Sequence, residues 1–314
     1  MKIVSLLPTA TEMLFALGLG DHIVGVSHEC DYPAAARLKP RVIDTDVDSD
    51  RLSSQAIDTL VRERLREGRS LYRLNLELLR ELQPDVVVTQ ELCQVCAIDT
   101  GQVLRLLHEL PGRPTILSLH AHTIGETLDE IRLIGQTIGC GDQAEALVRT
   151  LQQRLARVQE SVTGAIRPRV FCLEWLQPLM ASGHWVPEMV ELAGGVEVLG
   201  RPGQPSRCVE WVDVLAAKPE ILLLMPCGFP IERTMEEMGL LTTRRGWEEL
   251  PAVRQGRVYV VDGPSYFNQA GPRLVDGVEL LAGLLHPDRW PEPPPCGAVA
   301  RWPIRRQGCG GETA

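Results

Sequence analysis

The sequence lacks several features that would assign it to a large functional class. No run of about 18 apolar residues occurs, so no segment reads as a membrane-spanning helix. The net charge of −9 is not interrupted by a basic cluster. Phosphate neutralisation needs such clusters, so a nucleic-acid partner is excluded as the main reading. There is no G-x-x-x-x-G-K-[ST], no G-x-G-x-x-G opening a helix and no G-x-S-x-G. These absences weigh against nucleotide enzymes and serine hydrolases, and the chain reads as a binder rather than an enzyme. The first residues, MKIVSLLPTATEMLFALGLG, do not make an export signal. Their apolar run is short and broken by Pro8, Thr9, Thr11 and Glu12. The expected compartment is therefore the cytoplasm, with the periplasm as the alternative.

What is present is a 314-residue chain of ordinary globular composition, 44% apolar and 23% charged. That length accommodates two domains with separate cores. Short Val/Ile/Leu-rich runs predict strands at 3–7, 23–27, 85–90 and 115–119. Helical patterns lie between them at 11–17, 54–66, 76–82 and 103–109. This alternation predicts a parallel sheet covered on both faces. The first helix is expected to be capped near Thr9. Residues 123–166 then predict one long connecting helix, with Gly139-Cys140-Gly141 as its break point. Alternation resumes with strands at 169–174, 179–182, 221–225 and 258–262 and helices at 187–192, 209–216, 235–241 and 272–285. The expected organisation is an N-terminal α/β lobe over 1–122, a connector over 123–166, a C-terminal α/β lobe over 167–287 and a disordered tail over 288–314.

Ligands of parallel α/β sheets sit beyond the carboxyl ends of the strands. Here those ends carry the chemistry. HECDYP supplies His28, Glu29, Cys30, Asp31 and Tyr32, and QELCQVC supplies Gln90, Glu91, Cys93 and Cys96. His120 and His122 follow the fourth strand. The second half adds Cys172, Glu174, Trp175, His184, Trp185, Cys227, Phe229, Tyr266, Phe267, Asn268 and Arg273. Aromatic faces beside a few polar groups suit a small ligand. Glu12 is read either as a polar pocket residue or as part of a solvated helix face.

The nine cysteines leave two main readings open, beside a thioredoxin-like redox role for the Cys93–Cys96 pair. Cys93-x-x-Cys96 is a single pair, and a structural zinc site needs four ligands. In one reading the thiols are pocket-lining or buried side chains. In the other, His28, Cys30, Cys93, Cys96, Cys172 and Cys227 hold a thiophilic metal or an iron–sulfur centre, which would leave room for an enzyme. His184 and His28 are also candidate imidazole ligands.

The opening KIVSLLPTATEMLFALGLGDHIVGVSHECDYP resembles the start of periplasmic-binding-protein domains of the cobalamin and iron-siderophore type. LLRELQPDVVVTQ, RVFCLEW with GHWVPEMVELAGG, VLAAKPEILLLMP and YFNQAGPRLVDGVELLAGLL follow in the order such domains show. Within the family the chain is most similar to cobalamin-binding proteins. The resemblance implies the class III fold: two Rossmann-like α/β lobes joined by a single long helix, with the ligand in the inter-lobe cleft. It implies a corrinoid such as cobalamin as ligand, with an iron-siderophore or haem as the alternative, and an ABC-type permease as partner. It places Asp31, Tyr32, Gln90, Glu91, Glu174, Trp175, His184, Trp185, Phe229, Tyr266 and Phe267 along the ligand. The chain departs from the family in its Cys- and acid-rich loops and in an insertion over 44–75.

Overall fold

The computed structural model describes residues 1–47, 49, 51–90, 107 and 110–303. The chain divides into two compact units. The first holds Met1–Leu52, Ala56–Thr150 and Ala270–Pro272, and the second holds Ser53–Gln55, Leu151–Gln269 and Arg273–Ala314.

The first unit is built on a six-stranded sheet. Its strands are β1 (Ile3–Ser5), β2 (Ile23–Ser27), β3 (Arg41–Thr45), β4 (Tyr72–Leu74), β5 (Val86–Gln90) and β6 (Thr115–Leu119), in the order β4-β3-β2-β1-β5-β6. All neighbours are parallel except β3 and β4. Val4, Val42, Ile43, Leu79 and Val87 form its core. Gly25 in β2 is a packing requirement: a Cβ there would lie 2.8 Å from Val42 Cγ1 and 3.1 Å from Leu82. The first helix runs Pro8–Ala16 with proline in its first turn and no side-chain cap. The expected cap at Thr9 is thus corrected. Pro8 has no N–H to satisfy, and its fixed φ starts the helix itself. The 44–75 insertion contains the end of β3, a helix at Ser54–Arg66 and the antiparallel strand β4.

The stretch expected as one connecting helix is two, Ile124–Ile138 and Gly141–Val162. Gly139, at φ 83°, ends the first in a left-handed cap. A capping box starts that helix: Thr123 accepts from the Glu126 N–H while the Glu126 carboxylate accepts from the Thr123 N–H.

The second unit has a seven-stranded sheet. It contains β7 (Arg169–Trp175), β8 (Met180–Ala181), β9 (Val196–Glu197), β10 (Arg207–Cys208), β11 (Ile221–Leu224), β12 (Val258–Val261) and β13 (Val299–Trp302). The order is β10-β8-β7-β11-β12-β13. The long strand β7 shares one edge between two partners. β9 pairs in parallel with Arg169 and Val170, and β8 pairs antiparallel with Leu173 and Trp175. Phe171, Leu173, Leu222, Leu224, Val258 and Val260 centre the core.

The expected disordered tail is corrected over its described part. Val299–Trp302 pairs antiparallel along the whole of β12, from Val258↔Trp302 to Val261↔Val299. Proline-rich composition concealed this strand because the preceding residues carry no alternating pattern.

Both units share one junction. A helix ends in a left-handed residue, proline follows, and an acidic residue leads into a strand. In the first unit these are Gln83 at φ 48°, Pro84 and Asp85. In the second they are Lys218 at φ 46°, Pro219 and Glu220. The carboxylate then accepts the backbone N–H at the start of the central strand: Asp85 from Lys2 at 2.7 Å, Glu220 from Arg169 at 2.8 Å. Proline bars continued helix, the left-handed residue turns the chain, and the acid fixes strand register.

Candidate functional site

In a doubly wound sheet, the winding reverses at one place and leaves a crevice beyond the carboxyl ends of the two strands there. In the first unit that place is between β1 and β5; in the second it is between β7 and β11.

At the carboxyl end of β1 the polar groups close on each other. Thr11 Oγ lies 2.8 Å from Ser5 Oγ and 3.1 Å from Cys30 Sγ, and Ser5 Oγ donates to the Leu7 carbonyl at 2.9 Å. All three side chains are buried, and burial pushes the Cys30 thiol up to about 11. Cys30 is therefore a packed, protonated thiol in this state. Glu12 is buried too, which removes the solvated-face reading; the backbone of Gly271 packs against its carboxylate, where a Cβ would lie 2.9 Å from Oε1. His28 lies beside Tyr72 at 6.0 Å between rings and 3.8 Å from Glu29. Asp31 pairs with Arg37 at 3.4 Å, and Tyr32 is 47% exposed. Gln90 ends β5 half-buried; Glu91, Cys93 and Cys96 lie outside the described residues, as does most of the 103–109 helix.

Beyond β6 the His120 and Ala121 N–H groups both donate to Glu130 Oε1. Burial holds the Glu130 carboxyl above its ordinary range although these bonds oppose the shift. Sequence reasoning read His120 and His122 there and did not single out Glu130, whose helical position resembled any solvated acid.

The carboxyl end of β7 is open by contrast. Glu174 accepts from Ser206 Oγ, and Trp175 is half-buried. The indole N–H of Trp175 is shared between the carbonyls of Ser54 at 3.2 Å and Gln177 at 3.1 Å. Its ring packs against Phe229 at 5.1 Å and 53°. The turn after β8 supports the same end. Gly183 allows the 203–206 loop to approach, since a Cβ there would collide with the Gln204 carbonyl. His184 follows at φ 51°, a left-handed conformation uncommon outside glycine. It is locked by its N–H to the Gln204 carbonyl at 2.6 Å and by its own carbonyl, which accepts from the Gly203 N–H at 2.9 Å.

Three aromatics expected along the ligand are instead core. Phe229 and Phe267 are 1% and 0% exposed, and Trp185 is 6% exposed with its N–H donated to the Phe267 carbonyl at 2.7 Å. They sit at strand ends, as read, yet their apolar area is satisfied beneath the loops. Tyr266 is half-buried.

Cys172 is fully buried inside β7. Its N–H donates to Glu197, whose other oxygen takes the Leu199 and Gly200 N–H groups at 3.0 Å each. Burial, then the Glu197 charge, raises this thiol well above its usual value. Cys227 is exposed. Among the described residues no group of three or more His, Cys, Asp or Glu side chains is placed to hold a metal ion. His28, Cys30, Cys172 and Cys227 thus form no such group, and Cys93 and Cys96 lie outside that description.

A family model described as periplasmic binding protein matches residues 3–264. The chain belongs to this family. A Bacillus subtilis protein named an uncharacterized ABC transporter substrate-binding lipoprotein is 26% identical over 295 residues, covering 93% of this chain and 82% of its own. A vitamin B12-binding protein of Vibrio cholerae is 26% identical over 287 residues, covering 90% and 88%. Among solved structures, a periplasmic heme binding protein of Pseudomonas aeruginosa shares the fold with a TM-score of 0.70 at 18% identity, covering 96% of this chain and 97% of that one. The α/β class III fold expected from the sequence is the one found. The cytoplasmic expectation for this periplasmic binding protein is not supported, because its relatives are named as periplasmic or lipoprotein binding proteins. It rested on the composition of the first residues, which fold as β1 and the Pro8–Ala16 helix. Among the described residues no helix is long and apolar enough to cross a membrane.

Proposed function

We propose that this periplasmic binding protein takes a cobalamin-like corrinoid and passes it to an ABC-type permease. The observation that carries the reading is the carboxyl end of β7, where the half-buried Trp175 follows Glu174, Glu174 accepts from Ser206 Oγ, and the turn carrying His184 is locked against the same 203–206 loop. A corrin is broad and flat, with amides around its rim and a metal at its centre. An indole face supplies flat apolar area at little entropic cost. A carboxylate and a hydroxyl pair with rim amides, and an imidazole suits the metal face. Asp31, Tyr32, Gln90 and Tyr266 are the further contacts proposed, together with Glu91. The curated relative named for vitamin B12 supports the ligand class, and the lipoprotein relative supports a permease partner and a setting outside the cytoplasm.

Titration of the purified protein with cyanocobalamin, followed by calorimetry and the visible spectrum, tests this. One equivalent bound with a perturbed corrin spectrum is expected. Hemin bound while cyanocobalamin is not would move the ligand to haem. Heat from neither at high micromolar ligand would remove the reading.

A further inference from the structure

Trp175 is held by a closed ring of contacts within the second unit. Its N–H reaches the Ser54 carbonyl at 3.2 Å, and the Ser54 N–H donates to Glu237 Oε1 at 2.9 Å. The same Glu237 oxygen accepts from Arg233 Nη2 at 2.6 Å. The Arg233 guanidinium lies 4.7 Å over the Phe229 ring, and Phe229 packs back on Trp175 at 5.1 Å. The ion pair in this ring is largely out of water, with side-chain exposures of 15% for Arg233 and 9% for Glu237. A second carboxylate, Glu236, takes the other end of the guanidinium at 3.2 Å.

We infer that Arg233 and Glu237 are positioning residues that fix the ligand-facing indole of Trp175 from both sides. This deepens the corrinoid reading and, for its affinity arm, rests on it. An indole has two torsions to settle, and a half-buried one is not settled by core packing alone. Here one edge is fixed by the N–H shared between two carbonyls, and the opposite face by Phe229. Each support has a branch that runs through the ion pair; the Gln177 carbonyl is the branch that does not. Glu237 anchors residue Ser54 through its N–H, one peptide plane before the carbonyl that meets Trp175, and Arg233 weights the Phe229 ring through its π face, where a planar cation is attracted to the ring quadrupole. A low-exposure pair with a charge-assisted bond is stiff in a way that a surface pair is not. Preorganising one flat contact in this way lowers the ordering cost of binding a flat ligand.

The test is a mutant cycle with the full chain. Arg233→Met is expected to raise the dissociation constant for cyanocobalamin about tenfold, within the range for contacting pairs. Arg233→Lys, which keeps the cation, is expected to recover part of the loss. In a Trp175→Ala background Arg233→Met is expected to change affinity less than about twofold, because the residue it acts through is gone. A general structural role would give the same loss in both backgrounds, and that result overturns the inference. A second arm needs no ligand. With 5-fluorotryptophan incorporated, the fluorine resonance missing from Trp175→Phe is that of Trp175. It is expected to shift or broaden in Arg233→Met while the other tryptophan resonances hold. An unmoved Trp175 resonance overturns the inference. Should Arg233→Met not fold, Arg233→Lys and Glu237→Gln carry the same comparisons. If the native chain binds no cyanocobalamin, the corrinoid reading falls, and the fluorine arm alone decides the positioning role.

Discussion

In the first unit the central strand β1 spans three residues, Ile3–Ser5, and its end passes at once into the Pro8–Ala16 helix. In the second, the corresponding β7 spans seven, Arg169–Trp175, and its last residues still pair with β8 before the chain turns. Both strands are tied at their starts to the same helix–proline–acid junction, which itself leads into the neighbouring strands β5 and β11. They differ at their carboxyl ends. The short strand leaves Ser5, Thr11 and Cys30 satisfied by one another. The long one carries Glu174 and Trp175 past the apolar layer and leaves them half-buried. A shared scaffold thus carries a buried polar cluster at one strand end and the half-buried, hydrogen-bonded Glu174 and Trp175 at the other.

The strongest way to break this comparison is to truncate both strand ends. Trp175→Ala is expected to weaken cyanocobalamin binding tenfold or more, roughly the cost of losing a central aromatic anchor. Cys30→Ala is expected to leave affinity within about twofold, as titration calorimetry would show. Equal losses would mean that the two ends are not different in kind.

The shared junction is tested next. Asp85→Ala and Glu220→Ala each remove a charged acceptor from a backbone N–H that starts a central strand. Each is expected to cost about 1–2 kcal/mol in urea denaturation, the usual range for a bond to a charged group. A loss in one variant only would show that the junction is shared in shape and not in energetics.

The carboxylates Glu130, buried, and Glu197, half-buried, give a pH test in each unit. Both are held above the ordinary carboxyl range, chiefly by burial. A raised folded pKa means that the folded state binds the proton more tightly than the unfolded state. Stability is therefore expected to fall as pH rises from the unfolded carboxyl range through the raised value. Each group contributes at most about 1.4 kcal/mol for every pH unit that separates its folded and unfolded values. Glu130→Gln and Glu197→Gln should each flatten that decline in urea midpoints taken between about pH 4 and 7. A slope unchanged in both variants would reject this account.

The smallest effect expected is at the left-handed caps. Gln83→Gly and Lys218→Gly each relieve a side chain held in the left-handed region, at φ 48° and 46°. The expected gain is about 0.5–1 kcal/mol, visible as a modest rise in thermal midpoint.

Much of the scaffold was legible because buried parallel strands are plain apolar runs. β2 and β6 stand at the bounds read from composition, as do the Ser54–Arg66 and Leu76–Leu82 helices. β8 falls inside the strand expected at 179–182, whereas β4, β9, β10 and β13 are short or at edges, where so few residues cannot carry a period. β3 carries charges at Arg41 and Asp44. Strand ends pointed to Glu174, Trp175 and His184, which are proposed contacts. Composition could not separate these from Phe229, Phe267 and Trp185, because exposure of an aromatic at a strand end depends on which loop folds over it. The supporting Arg233 lies in the helix Ile231–Glu236 beyond the strand end and Glu237 caps that helix, and in sequence they look like any i,i+4 surface pair.

The pairing of Val299–Trp302 with β12 has a consequence of its own. Without it, the row Val258–Val261 would present unpaired N–H and C=O groups beside a flat, apolar strand, the geometry that recruits other chains. A chain cut after Pro287 would keep all the residues proposed to touch ligand and yet carry an open template for intermolecular pairing. The proline-rich end therefore acts as a guard against self-association, and its loss should be read in light scattering before it is read in affinity.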